Sequence, residues 1–244
     1  MNSADSFSPD YAAARSKFRE AAKAAGAAIE TFAHPERGPD GGDLSTDVAL
    51  IGPKDAERVL VMISATHGVE GFCGSGAQID WLRRGEAASL PAGLMVVMIH
   101  AINPYGFAWL RRVTQENVDL NRNWIDFDQP LPENPGYDAL ADAAVPTEWS
   151  DGAQAQSAGR LLAYARENGF PALQQAMSGG QYRHPKGIFY GGDGPAWSRR
   201  TQTAIFADYL AGAGRIGILD YHTGLGPYGF GEQILTDPPG TAGY

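Results

Sequence analysis

A chain of 244 residues, 43% of them apolar, is long enough to bury a full core, and its formal net charge of -9 argues against nucleic acid and anionic membranes as partners. The single cysteine, Cys73, rules out an internal disulfide and any cysteine-based metal cage. Residues 1–8 carry neither a basic nor an apolar signal region, and no apolar run is long enough to cross a bilayer, so a cytoplasmic protein of one α/β domain over 1–244 is expected.

Residues 11–24 are alanine-rich, with Phe18 and Ala22 on one face and charged residues on the other, which predicts an amphipathic helix. Residues 28–33 and 47–51 read as strands around a Gly/Pro/Asp-rich turn at 35–43. Residues 58–65 and 94–99 are continuous apolar strands of the kind found in a parallel sheet covered on both faces, with helical spacing between them at 74–84. Asn103-Pro-Tyr-Gly106 reads as a loop, and 126–151 as an irregular excursion. Helices are expected at 155–168, 171–177 and 196–211, the last burying Ile205 and Tyr209, with a Gly/Pro-rich loop at 182–194. Residues 216–220 read as a third buried strand. The alternation predicts an α/β fold with a mostly parallel or mixed doubly wound sheet and helices on both faces.

In such sheets ligands sit outside the carboxyl ends of the strands. His67 and Glu70 form an H-x-x-E step just after one predicted strand, and both side chains are ordinary zinc donors. By ordinary residue usage a carboxylate follows a given His at that spacing in roughly one case in ten, so the step needs support from elsewhere. It comes from Asn121-Arg122-Asn123 and Asp220-Tyr-His222, each near or beyond a strand end. His222 is the candidate third ligand, with Asp220 on the same face to orient it. The plainer readings are His67 as a helix cap with Glu70 in the first turn, and His222 as a core histidine. Arg122 and Asn121 suit a carboxylate, and Arg111 or Arg112 a scissile carbonyl; the alternative for both pairs is a solvated loop. Cys73 reads as small core filling, and His100 and His184 as structural. Ser75, with Asp220 and His222 downstream, offers a serine-hydrolase alternative, but Cys73 stands where the nucleophile elbow requires glycine.

The ordered set His67-Gly-Val-Glu-Gly-Phe72, Asn103-Pro-Tyr-Gly-Phe107, Arg111-Arg112, Asp119-Leu-Asn-Arg-Asn-Trp124, Tyr190-Gly-Gly192 and Asp220-Tyr-His-Thr-Gly-Leu-Gly-Pro-Tyr228 resembles the zinc carboxypeptidase superfamily, in its DUF2817 branch. The resemblance implies Zn²⁺ held by His67, Glu70 and His222, and a substrate carboxylate held by Asn121 and Arg122. It further implies carbonyl polarisation by Arg112 or Arg111, and Asp119 as the carboxylate that orients the first histidine. The implied reaction is hydrolysis of an amide bond next to a free carboxylate, on a small peptide or an acylated amino acid. The family's general base is a glutamate on a later strand, far beyond the third ligand. Here twenty-two residues follow His222 and Glu232 is the sole glutamate among them. The expectation is therefore a C-terminally shortened member of doubtful activity, ending in a loop-like stretch at 240–244, or a zinc- and carboxylate-binding module without turnover.

Overall fold

A computed structural model of the chain describes residues 2–234; the stretch at 240–244 lies outside the described residues. In chain order the elements are α1 (Tyr11–Ala24), β1 (Ala28–Arg37), β2 (Asp43–Ile51), β3 (Arg58–Ile63), α2 (Gly71–Arg83), β4 (Leu94–His100), α3 (Pro104–Ala108), α4 (Leu120–Asn123), α5 (Pro135–Ala144), α6 (Asp151–Asn168), α7 (Phe170–Ser178), α8 (Trp197–Leu210) and β5 (Arg215–Asp220). They form an α/β fold around one five-stranded mixed sheet of order β1-β2-β4-β3-β5. The β1/β2 and β2/β4 pairs are antiparallel, while β3 runs parallel to both β4 and β5.

Alternation along each strand divides the core into two layers. Val59, Val61 and Ile63 of β3 and Met95, Val97 and Ile99 of β4 face α8, where Ile205 and Leu210 meet them. Met62, Val96 and Met98 face the other way, onto Phe18 and Ala22 of α1 and Ile79 and Leu82 of α2. Cover on both faces is why β3 and β4 are unbroken apolar runs. The α1 helix starts where Asp10 accepts a hydrogen bond from the Ala13 amide (2.8 Å), and it buries Tyr11, Ala14, Phe18, Ala21 and Ala22 at helical spacing.

Four expectations are corrected. The β1 strand runs through Pro35, which the sheet tolerates because β1 is an edge strand with a register shift between Ala33 and Arg37. Asn103-Pro-Tyr-Gly106 is not a loop but the start of α3: the Asn103 side chain accepts from the Gly106 amide (2.9 Å) and Pro104 occupies the first turn. The excursion at 126–151 contains α5, opened in the same way by Asn134 and Pro135. Finally, β5 is not buried. Among the described residues it pairs only with β3, at the end of the sheet, and Ile218 is 55% exposed.

Because β3, β4 and β5 are mutually parallel, their carboxyl ends lie on one side of the sheet. The loops that follow them carry His67, Asn103 and His222.

Candidate metal centre

The loops after β3 and β4 are joined by backbone bonds. The Ile102 amide donates to Ser64 O (3.0 Å) and the Asn103 amide to Ala65 O (3.2 Å), with Ala65 and Ala101 both left-handed at φ 62 and 58. His67 then opens a short 3-10 turn, Gly68–Glu70, that leads into α2; its side chain makes no capping hydrogen bond, so the ring is not a helix cap. The free amides of that turn are taken by the arginine pair: Gly68 N–H donates to Arg112 O (3.2 Å) and Val69 N–H to Arg111 O (3.1 Å). Gly68 lies directly against the Gly106–Phe107 peptide, where a Cβ would sit 2.0 Å from the Gly106 carbonyl carbon. The H-G-V-E and N-P-Y-G segments are thus one packed unit.

Around this unit the polar side chains converge. His67, Glu70 and His222 each offer one ligand atom within 4.8 Å of the others, and they are the group of this kind found among the described residues. The two imidazoles stand 5.0 Å apart, tilted by 62°. His222 Nδ1 is 3.4 Å from Glu70 Oε2, and its Nε2–H donates to Asp220 Oδ2 (2.9 Å). Asp220 also accepts from the Thr66 hydroxyl (2.8 Å), which ties the end of β5 to the loop after β3. Glu70 accepts the Thr223 amide (2.7 Å). On the other flank, Arg112 Nη2 and Asn121 Nδ2 donate to His67 Nε2 (2.7 and 3.2 Å). Arg112 also donates from Nε to the fully buried Asp119 (2.9 Å) and lies 3.5 Å from Glu70 Oε1. Asp119 Oδ1 stands 3.9 Å from His67 Nδ1, beyond a hydrogen bond.

These contacts set the protonation states. Burial pushes His67 down to about 4, with the Arg112 charge acting in the same direction against Asp119, so its ring is neutral at pH 7. Hydrogen bonds to Asp220 and then Glu70 push His222 up to about 10 against its burial. Burial raises Glu70, but the bonds from His222 and the Thr223 amide outweigh it and hold the carboxyl below its usual range.

Three observations fit the group to a divalent cation. The donor set of two imidazoles and a carboxylate is one that zinc takes. His67 Nδ1 is buried without a partner, an exception to the rule that buried polar atoms are paired. Glu70, held below its usual range, presents an ionised carboxylate to the group.

The remaining candidates fall as follows. Arg111 turns away from the three donors to Asn117 Oδ1 (3.2 Å). Arg122 donates to Ser178 O (2.6 Å) and stacks on Phe189 at 5.4 Å. Ser75 is corrected as a nucleophile: it is buried inside α2 and its hydroxyl pairs with His100 Nε2 (2.8 Å), not with His222. Cys73 is also corrected; it is exposed, not core, because α2 buries the flanking Gly71, Gly74 and Ser75 and turns Cys73 outward. His184 pairs with Asp138 (2.8 Å) away from the group. Glu232 is exposed and lies against Gly226, outside the donor group. Thr66 and Phe189 were not singled out in the sequence. Thr66 adjoins His67 after a strand, which is a usable signal, whereas Phe189 gave none beyond its neighbour Tyr190.

Over residues 7–244 the chain matches the family described as "Protein of unknown function (DUF2817)". It belongs to the DUF2817 family. No curated protein matches it. Among solved structures, this DUF2817 member is similar to a Fimbriiglobus ruber glutaminyl cyclase at 14% identity, over 35% of each chain and with a TM-score of 0.28, so it spans about a third of that protein. It is similar to a Porphyromonas gingivalis glutaminyl cyclase at 11% identity, over 89% of this chain and 77% of that one, with a TM-score of 0.32. A Zn-dependent exopeptidase from Parabacteroides distasonis ATCC 8503 aligns at 12% identity over 91% of this chain and 85% of that one, with a TM-score of 0.31. Among the described residues, no helix of this family member is long and apolar enough to cross a membrane.

Proposed function

We propose that this DUF2817 member is a zinc-dependent hydrolase of the carboxypeptidase type, acting on an amide bond next to a free carboxylate. The observation that carries the reading is the convergence of His67, Glu70 and His222 within 4.8 Å, beside an arginine that reaches two of them. Zinc held by these three side chains supplies Lewis acidity to a carbonyl and to water. Asp220 keeps the His222 ring in a fixed orientation. Arg112, held at Nε by Asp119, turns its Nη groups from His67 and Glu70 to the substrate carbonyl oxygen and stabilises the charge that develops there. Arg122 and Asn121 take the terminal carboxylate, the first through its planar fork and the second through its amide N–H. Arg111 has no part in this arrangement.

One observation favours a second reading, a zinc- and carboxylate-binding module without turnover. Among the described residues, Glu232 lies against Gly226 and outside the donor group. A single experiment separates the two. Zinc-loaded protein is assayed on hippuryl dipeptides and on N-acetyl amino acids, before and after treatment with a chelator. Hydrolysis that the chelator abolishes and zinc restores supports the hydrolase, and the substrate cleaved distinguishes peptidase from deacylase. Zinc uptake without hydrolysis of either class supports the binding module. Hydrolysis that survives the chelator overturns both.

A further inference from the structure

Arg112 and Arg122 share one neighbour, and that neighbour is strained. Their guanidinium carbons lie 5.3 and 5.4 Å from the centre of the Phe189 ring, within the range of cation–π attraction. Phe189 itself has φ 51, a left-handed conformation that bulky residues seldom adopt. It is held there by a ladder on both sides: the Gln181 amide donates to Phe189 O (3.1 Å), Gly191 N–H to Gln181 O (2.9 Å) and Asp119 N–H to Tyr190 O (2.8 Å), while Ile188 N–H donates to the Tyr137 hydroxyl (2.9 Å). The strain is not repaid by packing in the core, since Phe189 is half-buried and belongs to none of the three apolar clusters. The Asp119 amide in that ladder also matters, because the Asp119 carboxylate holds Arg112. Backbone strain of this kind concentrates where a side chain must be aimed.

We propose that Phe189 is a positioning residue for carboxylate recognition: one ring, fixed by a strained backbone, sets the place of both guanidiniums. Arg112 and Arg122 repel each other, and a shared π-face between them offsets that repulsion before any anion arrives. The role rests on the reading of Arg122 as the carboxylate anchor and adds what holds it ready.

The test measures binding of hippurate and of its uncharged amide, hippuramide, to the zinc-loaded full chain. Three variants are compared with the wild type. Phe189→Gly removes the ring and takes φ 51 without strain, so it is expected to fold even if Phe189→Leu does not; Phe189→Tyr keeps a π-face. In the Gly and Leu variants the preference for acid over amide should fall about two- to fivefold, the loss of the one cation–π contact that holds Arg122. The Tyr variant should keep it, and the zinc content of all three should stay at the wild-type level, because Phe189 supplies none of the three ligand atoms. A preference undiminished in the Gly and Leu variants overturns the inference alone, as does a Tyr variant no better than Leu. A wild type that binds acid and amide equally overturns the anchoring role of Arg122 and the inference with it.

Discussion

The tightest contact at the site gives the sharpest prediction for a single substitution. Gly68 has an ordinary backbone conformation, so what forbids a side chain there is space. An added Cβ would meet the Gly106 carbonyl carbon at 2.0 Å, the Phe107 nitrogen at 2.3 Å and the Gly106 Cα at 2.4 Å. All three are backbone atoms, and no rotamer change can relieve them. In Gly68→Ala the 3-10 turn and α3 must part by more than an ångström to restore ordinary contact. That movement pulls the Gly68 and Val69 amides off Arg112 O and Arg111 O, which they reach at 3.2 and 3.1 Å. Two lost backbone hydrogen bonds and the strain of overpacking together cost about 3–5 kcal/mol. Urea denaturation should show this as a lower midpoint at unchanged slope. Zinc affinity should fall too, since His67 and Glu70 stand on the displaced turn. Gly159→Ala is the control: it lies exposed in α6 with nothing within 4 Å of its would-be Cβ, and should stabilise by about 0.5–1 kcal/mol. A Gly68→Ala protein within about 1 kcal/mol of wild type, binding zinc as before, would refute the packing argument.

Two further outcomes are expected. His100 is fully buried against Phe18 and Ser75, and burial pushes it down to about 4 from an ordinary 6.5. The unfolded chain therefore takes up its proton first as pH falls; the stability His100 contributes is whole above pH 6.5 and is lost toward pH 4, by about 3 kcal/mol in the acid limit. Urea titrations at pH 7 and pH 4 should show a smaller acid loss in His100→Gln by about that amount, and parallel losses would contradict it. Arg122→Ala should weaken hippurate binding by roughly 2–4 kcal/mol, with Arg122→Lys restoring only part because a point charge lacks the planar fork. Unchanged hippurate affinity in Arg122→Ala would count against its carboxylate role.

The parts of the fold that the sequence displays are those where burial is symmetric. Val59 to Ile63 and Leu94 to Ile99 are apolar at every position because helices cover both faces, so they read directly as interior strands. The same logic misled at Ile216 to Leu219, where an equally apolar run lies at the sheet's end; composition does not reveal how many neighbours a strand has. Asn103-Pro104 and Asn134-Pro135 start helices but read as loop and irregular excursion, because Asn and Pro serve turns as well as helix starts and the five-residue α3 shows almost no period. At the site, the positions of His67, Glu70 and His222 after parallel strands were predictable from chain order and sheet rules. The choice between Arg111 and Arg112 was not, because the backbone carbonyls of both accept amides of the same turn and only their side chains diverge. Phe189 was invisible for a related reason: a left-handed phenylalanine is a product of the ladder around it, and no local pattern announces it.

If His67, Glu70 and His222 hold one metal ion, metal stoichiometry will follow these three side chains. Wild-type protein and the His67→Ala, Glu70→Gln and His222→Ala variants would be equilibrated with zinc, dialysed and subjected to elemental analysis, with circular dichroism to establish that each is folded. The wild-type chain should hold about one zinc, on the one-site logic of such centres, and each variant should lose most of it. Folded His67→Ala and His222→Ala proteins that both retain a full equivalent of zinc would contradict it.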